Sequence, residues 1–177
     1  LDTLSFHWSR EELPVRVWVE DAFGLPAHMA RAIDVWEAAF LYGEFDATLV
    51  SDSNAADVIV QSGTPEAKLR GLRLHNALAP ECAGETTFDI DVAARELRLP
   101  IRAFVDPRSL PDDPAIEPCL ALTSIHELGH ALGILSHSER PEDIMFGDPE
   151  VDLPSDRDRR TAEAAYHTPR NLRVVRP

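Results

Sequence analysis

The stretch from His126 to His137 brings three imidazoles and one carboxylate into a single short segment, with Glu127 beside His126, then His130, then His137. His126 and His130 stand four residues apart. On a helix that spacing puts both rings on one face, one turn apart, within reach of one ion. Neutral imidazole is a good zinc ligand. Glu127 offers a carboxylate that can hold and deprotonate a water on that ion. Gly133 tolerates the left-handed conformation in which helices end, so the chain can turn there and bring a third ligand back. Three protein ligands and one open position describe a catalytic zinc site, whereas a structural site is closed by four. Two histidines around a glutamate also arise by chance on helices whose histidines are merely solvated or packed, so the residues after His130 must decide the reading.

The segment as a whole resembles the zinc signature of the metzincin metallopeptidases, most closely the matrixin branch: H-E-x-x-H-x-x-G-x-x-H and then a methionine turn. His126, Glu127, His130 and Gly133 match. The family's third ligand falls three residues after the glycine, where this chain has Ser136, and His137 comes one residue later. Either a bulge within Ile134-Leu135-Ser136 absorbs the extra residue and His137 is the ligand, or the third ligand comes from elsewhere. Serine is a poor zinc ligand beside imidazole. Ile144-Met145-Phe146 resembles the family's methionine turn, whose methionine lies eight residues after the third histidine in matrixins. Counting from His137 lands on Met145, and counting from Ser136 does not. His137 is therefore the favoured ligand, although a lone methionine is ordinarily a core gap-filler. Gly147 stands where some other metzincins carry a zinc-directed tyrosine, which also favours the matrixin-like branch. Tyr166 reads as a packing residue of the last helix.

The resemblance implies a zinc-dependent endopeptidase that hydrolyses peptide bonds by metal-activated water, with Glu127 as general base and His126, His130 and His137 as ligands. The alternative is a catalytically weak or inactive zinc-containing module that binds peptides or regulates, motivated by the extra residue before His137. A zinc that only ties the fold together would need a fourth ligand, and no histidine or cysteine offers itself. Matrixins often carry a structural zinc and calcium as well. The H-x-D element of that second zinc site is not evident, since Asn76 and Ala77 come directly after His75. Asp52, Asn54 and Asp57, or Asp148, Glu150 and Asp152, could bind calcium through oxygen ligands, but such clusters are more often solvated loops. His7, His28, His75 and His167 have no ligand-like neighbour at a useful spacing. The family places its specificity pocket in the segment after the methionine turn, here about 146–154.

The elements that must position these groups can be read from apolar periodicity. Residues 13–19 alternate and predict a strand. Pro26 opens a helix through about Tyr42, with Met29, Ile33, Trp36 and Phe40 at helical spacing as a core stripe. Strands are expected at 45–50, 57–61, 87–92 and 96–105, with 62–80 irregular. A proline-marked loop at Pro107, Pro111, Pro114 and Pro118 precedes the zinc helix, from about Ile116 to Gly133. Ser155 caps a last helix to about His167. This order is that of the matrixin catalytic domain. It implies an α+β, zincin-like fold: a twisted, mostly parallel sheet with one antiparallel edge strand, a backing helix, the zinc-binding helix and a C-terminal helix. In that family the edge strand pairs with extended substrate, a common mode of peptide recognition; residues 83–90 are the candidate.

The 177 residues are 44% hydrophobic and 27% charged, which fits one domain spanning 1–177 with a sizeable core. The net charge of −14 argues against a nucleic-acid partner, and no apolar run is long enough to span a membrane. The expected partner is a peptide or protein substrate met by a monomer. The chain opens at Leu1 without an initiator methionine or signal sequence, as a mature or trimmed form would, and the family implies a secreted or extracytoplasmic location. In an exported protein Cys82 and Cys119 would pair and anchor the zinc helix to the sheet; the alternative is two buried free thiols.

Overall fold

Alternation along the strands decides which face of the sheet is covered. Val15 and Val17, then Val58 and Val60, then Leu97 and Ile101 are almost wholly buried, and each lies two or four residues from the next on its own strand. The computed structural model describes residues 4–65, 72–76, 82–108, 113–149 and 151–177. Through these the chain forms β1 (Val15–Val19), α1 (Leu25–Glu37), β2 (Ala47–Leu49), β3 (Val58–Ser62), β4 (Leu72–Asn76), β5 (Cys82–Asp91), β6 (Glu96–Pro107), α2 (Ile116–Ala131), α3 (Asp156–His167) and β7 (Arg173–Val175).

The sheet order is β2-β1-β3-β6-β5-β4, with β7 also paired to β6. Strands β1, β2, β3, β6 and β7 pair in parallel. β5 runs antiparallel to both β6 and β4. The fold is thus a mixed one, mostly parallel with an antiparallel edge, and carries three helices among the described residues.

Helix α2 packs on α1 and on β5 and β6. Its own sequence is apolar nearly all round, as suits a helix buried between a sheet and another helix. The α1 stripe of Met29, Ile33 and Trp36 is buried core, as expected. Trp36 adds a hydrogen bond from Nε1 to the Ile125 carbonyl at 2.8 Å, which fixes α1 to the turn just before His126. Burying a side chain of this size contributes on the order of 2 kcal/mol or more. Cys82, opening β5, and Cys119, in α2, form a disulfide with Cα atoms 5.6 Å apart. It ties the helix to the sheet in the way the cysteine positions suggest.

Four expectations need correction. Helix α1 stops at Glu37 instead of running to Tyr42. Phe40 is buried beyond its end, 4.8 Å from Tyr166 between ring centroids, so the apolar stripe outlasts the helix because the chain folds back. Within 62–80, read as irregular, lies β4; residues 66–71 and 77–80 lie outside the described ones. β7 has no counterpart among the expected strands. Finally, the strand expected over 83–90 as the edge is part of β5, and its outer side is paired with β4 from Gly84 to Phe88. The outermost strand there is β4. Of the proline loop, Pro111 lies outside the described residues, Pro107 ends β6, and Pro118 sits in the first turn of α2, where its missing N–H costs nothing.

Candidate metal centre

Helix α2 sets His126 and His130 one turn apart on the same face, both with no exposed surface. The helix ends in a Schellman motif: Ile134 donates its N–H to Gly129 at 3.1 Å, and Gly133 donates to His130 at 3.0 Å. Gly133 takes φ of +127°, open to glycine alone at low cost, and any side chain there would meet the Phe6 carbonyl. From this turn the chain passes a bend at Ser136, which is exposed, and returns His137 to the same point. The extra residue of the connection is thus absorbed between Gly133 and His137.

The three rings converge through their Nε2 atoms. His126 Nε2 lies 3.0 Å from His130 Nε2, and His130 Nε2 lies 3.2 Å from His137 Nε2. The opposite nitrogens fix the tautomers. Nδ1 of His126 donates to the Ile144 carbonyl at 2.6 Å, and Nδ1 of His130 donates to the Ile134 carbonyl at 2.7 Å. A carbonyl can only accept, so the proton sits on Nδ1 and the Nε2 lone pair faces inward. Burial pushes both rings far towards the neutral form. His126 falls well below its ordinary value, with His130 as the next cause. His130 falls to about 3, burial outweighing its bond to Ile134. Unshared lone pairs at such short separation repel, and a cation between them removes the conflict. The group His126, His130 and His137 could therefore hold a metal ion, and among the described residues it is the one place where three such ligand atoms gather.

Glu127 is fully buried on the β5 side of α2. Its Oε2 accepts a hydrogen bond from Thr86 Oγ1 at 2.5 Å. A Cβ at Gly84 would overlap its other carboxylate oxygen, so the absence of a side chain there lets β5 approach the helix. Met145 is buried, and a Cβ at Gly129 would overlap its sulfur and approach Trp36 Cζ2 to 2.8 Å. The methionine turn therefore lies directly against α2 between the two helical histidines.

Asp158 holds that turn. Its Oδ2 accepts from Ile144 N at 2.8 Å, and its Oδ1 from Met145 N at 3.3 Å. The sequence marks Ser155 as a cap with Asp158 three residues on, and a capping box forms. The second duty of Asp158, towards the methionine turn, has no local signal. Asp143 is similar: buried, it pairs with Arg157 at 2.8 Å and accepts from Ser155 Oγ at 2.6 Å. Thr86 and Gly84 also escape sequence reasoning, because nothing in β5 alone reveals that Glu127 will lie across it.

The other candidates stand apart. His28 pairs with Glu117 and His167 with Glu44, both at 3.0 Å. His7 stacks on Tyr166 at 5.2 Å, and the side chain of His75 lies outside the described residues. Of the calcium candidates, Asp57 faces Arg16 and Arg176, Asp52 caps the backbone of Asn54, and Glu150 lies outside the described residues. Tyr166 donates to the Leu132 carbonyl at 3.0 Å, a packing role at the end of α2. A cavity of about 180 Å³ sits between the returning turn and α3, lined by Ser136, Met145, Arg157 and Thr161 among others and by none of the described residues of 146–154. No helix of the described residues is long and apolar enough to cross a membrane. No protein-family model and no curated protein matches the chain.

Proposed function

We propose that the chain is a zinc endopeptidase of the metzincin type, matrixin-like in its site. The observation that carries this reading is the convergence of three Nε2 lone pairs, with the Nδ1 protons of the two helical rings pinned to backbone carbonyls. Zinc held by imidazoles at 2.0–2.1 Å in a tetrahedral site sets neighbouring nitrogens about 3.3 Å apart, close to the separations found here. Three ligands leave a fourth position open, the mark of catalytic use.

When bound, zinc supplies Lewis-acid polarisation of a carbonyl and activation of water. Glu127 is then the general base, accepting a proton from water and delivering it to the leaving amine. Thr86 orients its carboxylate through the hydrogen bond to Oε2, and the packing of β5 against Glu127 excludes bulk water. The carbonyls of Ile144 and Ile134 hold the two helical imidazoles in the tautomer that ligation requires. The substrate would be an extended peptide, and the Cys82–Cys119 disulfide supports an extracytoplasmic setting.

A second reading, a zinc-containing module that binds without turnover, is favoured by one observation. β4 already pairs with β5 along Gly84–Phe88, the side on which an extended peptide would add. Turnover of peptide by the wild-type chain separates the two, and Glu127→Ala then tests the base: the peptidase reading expects zinc retained and turnover lost by at least about 100-fold. Zinc retained with unchanged cleavage would remove Glu127 from the chemistry.

A further inference from the structure

The face of the sheet opposite α1 and α2 carries a cavity of about 690 Å³, within the size range of small-ligand pockets. The residues that point to that face alternate with the buried valines. Trp18, Ile59 and Arg102 are direct neighbours across β1, β3 and β6. The charged side chains lining the cavity are Arg16, Arg102, Arg176 and Asp57; with the carboxylate of Pro177, which lines it too, the balance is one positive charge in excess in a chain whose net charge is −14. Parallel strands are ordinarily covered on both faces, so an open one invites an occupant.

The arrangement is built rather than incidental. Asp57 is 1% exposed, and its carboxylate takes Arg16 Nη2 at 2.8 Å and Nε at 3.0 Å, then Arg176 Nε at 3.1 Å. One buried carboxylate thus fixes two guanidiniums side by side at the cavity wall. Arg102 stands further across the sheet on β6, its Nη1 3.5 Å from Gln61 Oε1 on β3. Guanidinium groups so held match the geometry of an oxyanion and lose little freedom on binding one. Trp18 and Ile59 supply an apolar floor beside them.

We propose that this cavity binds a small ligand bearing a carboxylate or phosphate on an apolar body, the oxyanion lying on Arg102 and Arg176 and the body on Trp18 and Ile59. The site is separate from the histidine cluster and does not depend on it. To test this, the ¹⁵N-labelled full chain is titrated with benzoate and, separately, phenyl phosphate, reading the indole N–H of Trp18 by NMR. Trp8 and Trp36, both buried, serve as internal references. The expected result is a saturable shift confined to Trp18, with the stronger of the two probes naming the oxyanion, and no shift with neutral benzyl alcohol. Arg102→Gln, and independently Arg176→Gln, should weaken binding at least about tenfold. A Trp18 signal unmoved by both anions at millimolar concentration, or moved equally by benzyl alcohol, would overturn the proposal. So would an affinity unchanged in both variants.

Discussion

The carbonyl of Ile144 accepts the Nδ1–H of His126 at 2.6 Å, while the N–H of Ile144 donates to Asp158 at 2.8 Å. One residue of the methionine turn therefore couples a candidate metal ligand on α2 to a buried carboxylate on α3. Partners of this kind set ring orientation and tautomer, and their loss typically lowers metal affinity 10- to 100-fold. Asp158→Ala should weaken zinc binding within about that range. It should also remove the capping box of α3, costing about 1 kcal/mol. Competition with a chromogenic chelator measures the first effect and urea denaturation the second. Unchanged zinc affinity would disconnect α3 from the site.

Gly84 gives a sharper steric test. A methyl there overlaps the Glu127 carboxylate and comes within 2.7 Å of Thr123 Cγ2. Gly84→Ala should displace Glu127 and lower turnover at least about tenfold, at a stability cost of roughly 1–3 kcal/mol. Zinc content should stay at the wild-type level, because the histidines do not lean on β5 at that point. Measuring all three quantities on one preparation distinguishes displacement of the base from general unfolding.

Asp57 controls acid stability. Burial alone would raise its carboxyl above the usual 3.8, but the hydrogen bonds from Arg16 and the charges of Arg176 and Arg16 outweigh burial and hold it lower. A depressed folded value means that the unfolded chain takes up the proton first as pH falls. The stabilisation is therefore complete above about 3.8, the unfolded value, and is lost as pH drops through the lower folded one. Urea midpoints measured through this acid range should fall in the wild type and fall less steeply in Asp57→Asn. Parallel curves would show that the group does not contribute.

The disulfide closes a separation of 37 residues. Loop-closure entropy for a segment of that size is worth about 4 kcal/mol, an upper figure because reduced chains keep some structure. The double variant Cys82→Ala, Cys119→Ala should lose roughly 2–4 kcal/mol by urea denaturation. A loss under about 0.5 kcal/mol would mean that the helix–sheet packing alone holds α2 in place.

Much of this arrangement is legible in the chain because it is local. The spacing of His126 and His130, the glycine that ends α2 and the cap at Ser155 each act within a few residues, and periodicity places α2 to within two residues of its end. What escapes is non-local. β7 is three residues long and owes its place to β6, a partner strand far away in the chain, whereas β4, which alternates over Leu72-Arg73-Leu74-His75 and pairs with the nearby β5, is legible in its local pattern. Phe40 belongs to the core but not to the helix, a distinction made by the fold-back against Tyr166. Asp158 and Thr86 look like an ordinary cap and an ordinary strand threonine until the turn and the helix they hold are brought to them.

The most direct measurement is metal content by native mass spectrometry, paired with turnover of a mixed quenched-peptide library on the same sample, with and without a zinc chelator. One zinc per chain is expected, with cleavage that stops with the chelator and returns with added zinc, and loss of both zinc and cleavage in His137→Ala. A chain that binds no zinc, or that cleaves equally well with the metal stripped, would contradict the zinc-peptidase reading.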